Sequence, residues 1–147
     1  MRIPFSAKLT LWANRCIVAV LVLLMAAMPR LLAWYQTMRP LGLHSAAAII
    51  IGFYCCVPAV ALALWNLDGL LRSILANQIF VRRNVHRISA VRWCCLAVCL
   101  ICLPASFFYP PLVFMVVVMA FLALVVSVLC AVMDAAVSIR EENDLTI

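Results

Sequence analysis

The chain has 147 residues, of which 69% are apolar and 11% charged, with a net charge of +6 and a mean hydropathy of +1.21. Soluble domains are about half apolar and about a quarter charged, so this chain has too few polar groups to cover a water-facing surface. The composition therefore argues against a soluble globule, a disordered chain and a secreted disulfide scaffold. At roughly 20 apolar residues per crossing, the length accommodates four or five membrane helices.

Four apolar runs follow one another along the chain. They are continuous rather than alternating, which favours helices over the strands of a membrane barrel. We expect Asn84 to cap the third helix, Pro104 to end it, and Pro110 and Pro111 to lie in the first turn of the fourth. The sequence thus predicts an all-α, integral membrane four-helix bundle in a single domain, 1–147. Its spans lie at about 9–35, 46–67 with an amphipathic extension to about 77, 84–103 and 110–134, followed by a tail at 135–147.

The first run has a second interpretation. A basic start before a short apolar core is also typical of a signal peptide. Pro29 and Arg30 lie where a small-residue cleavage site would be required, so we expect the helix to be retained.

Basic residues divide unequally between the two sides of the predicted spans. Arginines and lysines of short loops stay cytoplasmic, so the side that carries more of them is predicted to face the cytoplasm. Of the 11 basic residues, only Arg30 and Arg39 fall on the poorer side. The richer side holds Arg2, Lys8, Arg15, Arg72, Arg82, Arg83, Arg87, Arg92 and Arg140. Both termini are therefore predicted inside, an N-in/C-in topology.

The aromatic residues that favour membrane interfaces sort in the same way. One predicted side holds Trp12, Trp65 and Trp93, and the other holds Trp34, Tyr35 and Tyr109. This second, independent pattern agrees with the span boundaries.

The segment from Arg72 to Arg92, here called the basic elbow, contains no acidic residue. Its arginines are interpreted first as setting topology alone. The alternative is a dock for anionic lipid headgroups or an acidic partner, worth on the order of 1 kcal/mol per residue. Direct nucleic-acid binding is not expected, because the elbow lies against a membrane with no recognition module around it.

No set of side chains in the sequence predicts catalysis. His44 and His86 fall on opposite sides of the membrane, and the three glycines form no phosphate loop, so we expect no enzyme activity and no cofactor. Cys95, Cys99 and Cys102 share one helix stripe, which is open to a metal or redox interpretation, but packing as small apolar residues is favoured.

Two aspartates lie at the inner ends of their helices. Asp68 precedes Arg72 by four residues, which favours an intrahelical ion pair. Asp134 is placed to reach an arginine of the elbow. The tail holds the acidic cluster Arg140, Glu141, Glu142, Asn143, Asp144. A solvated, frayed terminus is one interpretation of it, and its apolar ending, Leu145, Thr146 and Ile147, favours the other, docking on the bundle. Tail and elbow carry opposite charges and attract each other by about 1 kcal/mol per close pair.

Two short motifs resemble a known family. Ile79, Phe80, Asn84 and Arg87 precede a span, and the chain closes on Asp144, Leu145, Thr146 and Ile147. An Ile-Phe-x-x-x-Asn connection and an acidic Asp-Leu-Thr-Ile ending are typical of the bacterial four-span membrane family catalogued as domain of unknown function 2975. The resemblance implies no established activity. It does imply neighbourhood with small Cro-type helix-turn-helix regulators, and so a membrane protein that works with or restrains a DNA-binding partner.

These features predict a non-catalytic regulatory or interaction protein of the bacterial inner membrane, either single or homo-oligomeric. The alternative is a small oligomeric transporter or channel, although the midplane offers only Pro58, Ser127 and cysteines for a pathway. The candidate partner or lipid contacts are Ile79, Phe80, Arg82, Arg83, Asn84, Arg87, Arg140, Glu141, Glu142, Asp144, Leu145 and Thr146. The candidate ion-pair residues are Asp68, Arg72 and Asp134.

Overall fold

The computed structural model describes residues 5–76, 78 and 80–145. Four α-helices account for nearly all of them: α1 (Phe5–Met38), α2 (Leu43–Leu75), α3 (Arg82–Phe108) and α4 (Leu112–Leu145). No strand occurs in this part of the chain. Each helix is long and apolar enough to cross a membrane. The predictions of an all-α fold and of four spans are confirmed.

Each helix packs against its neighbours in the chain. The contacts of α3 with α4 and with α2 are extensive, whereas α1 packs on α2 alone. Short connections make consecutive helices antiparallel. All four helices contribute residues, among them Leu21, Gly52, Val98 and Met119, to an apolar cavity of about 360 Å³. The bundle is therefore held chiefly through α2 and α3, with α1 and α4 flanking the cavity.

Several helix ends differ from those expected from the sequence. The prediction that Pro104 ends the third helix is wrong, because α3 continues through Pro104 to Phe108. Asn84 is not the helix cap, since the cap is Val81. The fourth helix begins at Leu112, after Pro110 and Pro111 rather than on them. Inside a membrane, ending a helix exposes more unpaired backbone groups than a proline does, so helices pass through prolines that would stop them in water.

Three helices are longer than the bilayer requires. α1 and α4 have 34 residues each and α2 has 33. At 1.5 Å per residue they span roughly 50 Å, against roughly 30 Å of hydrocarbon. α2 ends at Leu75, and residue 77, to which its extension was expected to run, lies outside the described residues. The predicted helical extensions beyond the membrane are thus present at the ends of α2 and α4.

A proline in α1 is compensated by a tyrosine of α2. Pro29 has no N–H, which leaves the carbonyl of Met25, four residues earlier, without its helical donor. The Tyr54 hydroxyl donates a hydrogen bond to this carbonyl at 3.0 Å. A free carbonyl facing lipid is costly, so this bond both satisfies α1 and joins it to α2.

Replacing Tyr54 by phenylalanine should lower the stability of the bundle by about 1 kcal/mol, because it removes this bond and nothing else. The measurement is unfolding of the purified protein by a denaturing detergent, followed by circular dichroism. Phe107→Leu, at a side chain that is 83% exposed, is the control and should leave stability unchanged. Identical midpoints for wild type and Tyr54→Phe would contradict the compensating role.

Candidate functional site

The polar side chains gather at one end of the bundle. This arginine-rich end consists of the first turns of α1, the last turns of α2, the connection to α3, the first turns of α3 and the last turns of α4. The ion pairs of Arg15 and Arg72 with Asp68, and of Arg82 with Asp134 and Glu141, lie here. The opposite end joins Tyr35 to Tyr109 through their hydroxyls at 3.2 Å, a hydrogen bond that raises the pKa of Tyr109.

Asp68 links α1 to α2. Its Oδ2 lies 2.8 Å from Arg72 Nε, the pair that the i, i+4 spacing predicts. Its Oδ1 lies 3.9 Å from Arg15 Nε of α1. One carboxylate therefore stands between two guanidinium groups, and the sequence alone did not indicate the second.

Arg82 joins the start of α3 to the end of α4. Its Nη1 lies 3.5 Å from Asp134 Oδ1, and its Nη2 lies 2.9 Å from Glu141 Oε2. Asp134 and Glu141 are seven residues apart and so share one face of α4. All three side chains are more than half exposed, so each pair adds less than about 1 kcal/mol. Their effect is positional: Arg82 holds the acidic tail beside the basic elbow, as the opposite charges predict.

Asn84 lies inside the protein. Its side chain is fully buried, and its Nδ2 donates a hydrogen bond to the Gln78 carbonyl at 2.8 Å. The expectation that Asn84 contacts a partner is therefore wrong, since a fully buried side chain presents no surface. Its amide instead closes the connection between α2 and α3. Ile79 of the same motif lies outside the described residues, and Phe80 is exposed.

Arg87 also turns inward. Its Nη1 donates a hydrogen bond to the carbonyl of Gly69 on α2. A Cβ at position 69 would lie 2.8 Å from the Arg87 guanidinium carbon, so glycine is needed for this approach. Arg87 was expected to contact a partner or lipid, but its guanidinium is instead engaged in joining α2 to α3.

A polar groove of about 410 Å³ runs between α3 and α4. Its polar lining residues are Arg82, His86, Ser89, Arg92, Ser127 and Asp134. Arg92 is half-buried, lies 3.4 Å from Ser89 Oγ and stacks 5.7 Å from the Trp93 ring. Within the described chain no carboxylate lies within 4 Å of Arg92, because the ion pairs involve other arginines. Arg92 therefore differs from Arg82, which is paired with Asp134 in the same groove.

The end of α4 stays helical to Leu145, buried at Val137 and exposed beyond it. Arg140, Glu141, Glu142 and Asp144 are all exposed, and Leu145 is 88% exposed. The expectation that the apolar ending docks on the bundle is wrong for Leu145, because the helix runs straight to that residue instead of folding back. Thr146 and Ile147 lie outside the described residues.

The cysteines take part in helix packing. Cys94, Cys95 and Cys102 are buried, and Cys102 Sγ lies 3.9 Å from Cys56 Sγ of α2. Among the described residues, no three His, Cys, Asp or Glu side chains come together as a metal site. The contacts agree with the interpretation of these cysteines as small packing residues.

Fold and site together define a class of protein: a multi-pass, four-helix membrane protein whose charged groups are concentrated at one end. Residues 35–147 match the model of a family described as protein of unknown function (DUF2975). The chain belongs to this family, as its two motifs indicated. Neither the curated proteins nor the solved structures gave a match.

Proposed function

We propose that this chain is an interaction protein of the bacterial inner membrane that binds a cytoplasmic protein at its arginine-rich end and catalyses no reaction itself. The partner we propose is a small helix-turn-helix regulator, the neighbour that the family resemblance implies. Eight of the ten basic residues that the structure describes lie at this end, which supports its placement in the cytoplasm.

The observation that carries the proposal is the arrangement around Arg82. Its ion pairs hold the end of α4 beside the start of α3, and exposed acidic and apolar side chains lie on both segments. Glu142 and Asp144 supply negative charge, and the exposed apolar groups are Phe80, Val81, Ile139 and Leu145. Exposed apolar side chains among charges, outside the bilayer, are typical of a protein-binding surface. We propose further that Arg92 and its groove bind anionic headgroups.

Co-purification tests the proposal. The full chain is expressed with an affinity-tagged helix-turn-helix regulator from a neighbouring gene and extracted in mild detergent. Recovery should fall at least fivefold when residues 140–147 are deleted. Arg82→Glu and Glu141→Arg should each reduce recovery, and the double variant should restore much of it because the pair is re-formed with reversed charges. Arg39→Gln, at the opposite end, is the control.

Unchanged recovery after both the tail deletion and Arg82→Glu would contradict the proposal. The transporter alternative has less support. The cavity shared by all four helices is lined by apolar side chains, glycine and cysteine, which do not bind a hydrated ion or polar solute.

A further inference from the structure

A second groove, between α1 and α2, opens at the arginine-rich end and extends toward the bilayer centre. It encloses about 420 Å³. Its outer part is polar and its inner part is formed by apolar residues of both helices. The lining residues are Asn14, Arg15, Val18, Leu21, Val22, Met25, Val57, Ala61, Leu64, Trp65, Asp68 and Arg72.

The polar part lies at headgroup depth. Trp65 lines the groove and is 82% exposed, and Trp12, two residues before Asn14, is 70% exposed. Tryptophans of this kind mark the membrane interface. From Asn14 to Met25 the groove follows α1 for roughly 16 Å at 1.5 Å per residue, which is enough for much of an acyl chain. Its shape and depth therefore match one phospholipid, with the headgroup outward and a tail inward.

Two guanidinium groups of the groove can bind a phosphate. Arg15 and Arg72 flank the single carboxylate of Asp68, so the cluster carries a net charge of about +1. Their side chains are 58% and 64% exposed, and in each pair the nitrogen that approaches Asp68 is Nε. Each guanidinium also carries Nη–H donors, and at headgroup depth phosphate oxygens are the available acceptors.

The same cluster also has an acceptor that lacks a donor. Asn14 is 97% buried, taken from its relative exposure of 3%, and its Nδ2 donates to the Leu64 carbonyl at 3.3 Å. That bond fixes the amide orientation and leaves Oδ1 buried with no hydrogen-bond donor. Asp68 Oδ1 is likewise buried without a hydrogen bond. A buried oxygen without a donor is costly, so a donor on the bound molecule would stabilise the site.

We propose that this groove binds phosphatidylethanolamine. The phosphate lies between Arg15 and Arg72, the ammonium donates to Asp68 and Asn14, and one acyl chain lies between α1 and α2. The cluster offers guanidinium donors on Arg15 and Arg72 and acceptor oxygens on Asn14 and Asp68. Only a headgroup that has both an acceptor and N–H donors satisfies both. Phosphatidylcholine has the same phosphate and charge but no N–H donor, so it is the matched comparison.

Competition between the two lipids tests the proposal on the wild-type chain. The purified protein is exposed to equimolar phosphatidylethanolamine and phosphatidylcholine with identical acyl chains, and the lipid retained is identified by native mass spectrometry. We expect a preference for the ethanolamine lipid of about tenfold, and a stepwise loss of that preference as its nitrogen is methylated. Equal retention of both lipids would overturn the proposal.

Variants then assign the two halves of the headgroup. Asn14→Leu, similar in size but lacking the acceptor, should bring the ratio of the two retained lipids close to one. The double variant Arg15→Gln, Arg72→Gln should reduce retention of both. Arg83→Gln, at an exposed arginine outside the groove, is the control and should change neither. If Asn14→Leu kept the wild-type preference for phosphatidylethanolamine, the role of the Asn14 oxygen would be overturned. If that variant does not fold, the series of methylated lipids on the wild-type chain tests whether N–H donors are required.

Discussion

Replacing Val137 by aspartate should detach the end of α4, residues 135–145, from the bundle. Val137 is 2% exposed, and it lies beyond residue 134, where the fourth span is predicted to end. Burial there is driven by the hydrophobic effect, which does not act between helices within lipid. An unpaired charge at a buried site costs about 3 to 5 kcal/mol, so the local helix opens before the membrane part is affected.

Hydrogen exchange is the measurement for this variant. Amides of residues 135–145 should exchange about a hundredfold faster in Val137→Asp, while those of α2 and α3 keep their protection. Ile139→Asp is the matched control, because the same change is made two residues away on a side chain that is 61% exposed. Equal protection in both variants would show that the end of α4 is not packed on the bundle.

Replacing Asn84 is expected to have the second largest effect. Asn84→Ala removes the hydrogen bond to the Gln78 carbonyl and leaves that acceptor without its donor, a loss of about 1 to 3 kcal/mol. Asn84→Asp should cost more, because a buried carboxylate oxygen would then face the carbonyl oxygen. Both variants should open the connection between α2 and α3.

Thermal unfolding in detergent and limited proteolysis at residues 76–81 measure this effect. Arg83→Ala, at the adjacent exposed side chain, should match wild type in both. If Asn84→Asp and Asn84→Ala were equally stable, water would have to reach position 84 and solvate the carboxylate. That result would contradict the assignment of Asn84 as the residue that closes this connection.

Local features of this fold follow from the sequence. The four helices could be predicted because a continuous apolar run in lipid must satisfy its own backbone hydrogen bonds, and a helix does so. The ion pair of Asp68 with Arg72 was equally predictable, since four residues is one turn of helix. The error at Pro104 arose from a rule that describes helix ends in water, whereas at Asn84 the cap lies three residues earlier, at Val81. Inside a bilayer, the cost of unpaired backbone groups carries α3 through its proline to Phe108.

Contacts between helices were harder to predict. Arg82 and Glu141 are 59 residues apart, and Arg87 and Gly69 are 18 apart. The opposite charges of the tail and the basic elbow predict that they attract each other. Which arginine forms the ion pair depends on how each helix is rotated about its axis. An almost uniformly apolar helix gives little indication of that rotation. The groove at Asn14 was missed for the same reason, because an asparagine near a helix start is ordinarily at the surface.

We propose that the arginine-rich end faces the cytoplasm and that the connection between α3 and α4 faces outward. Labelling of single cysteines with a membrane-impermeant thiol reagent, in a chain from which the eight native cysteines have been removed, tests it most directly. In intact cells, Pro110→Cys should react and Arg83→Cys should not, and Arg83→Cys should react once the inner membrane is permeabilised. Both positions are exposed, so accessibility depends only on the side of the membrane. Labelling of Arg83→Cys in intact cells would contradict the account.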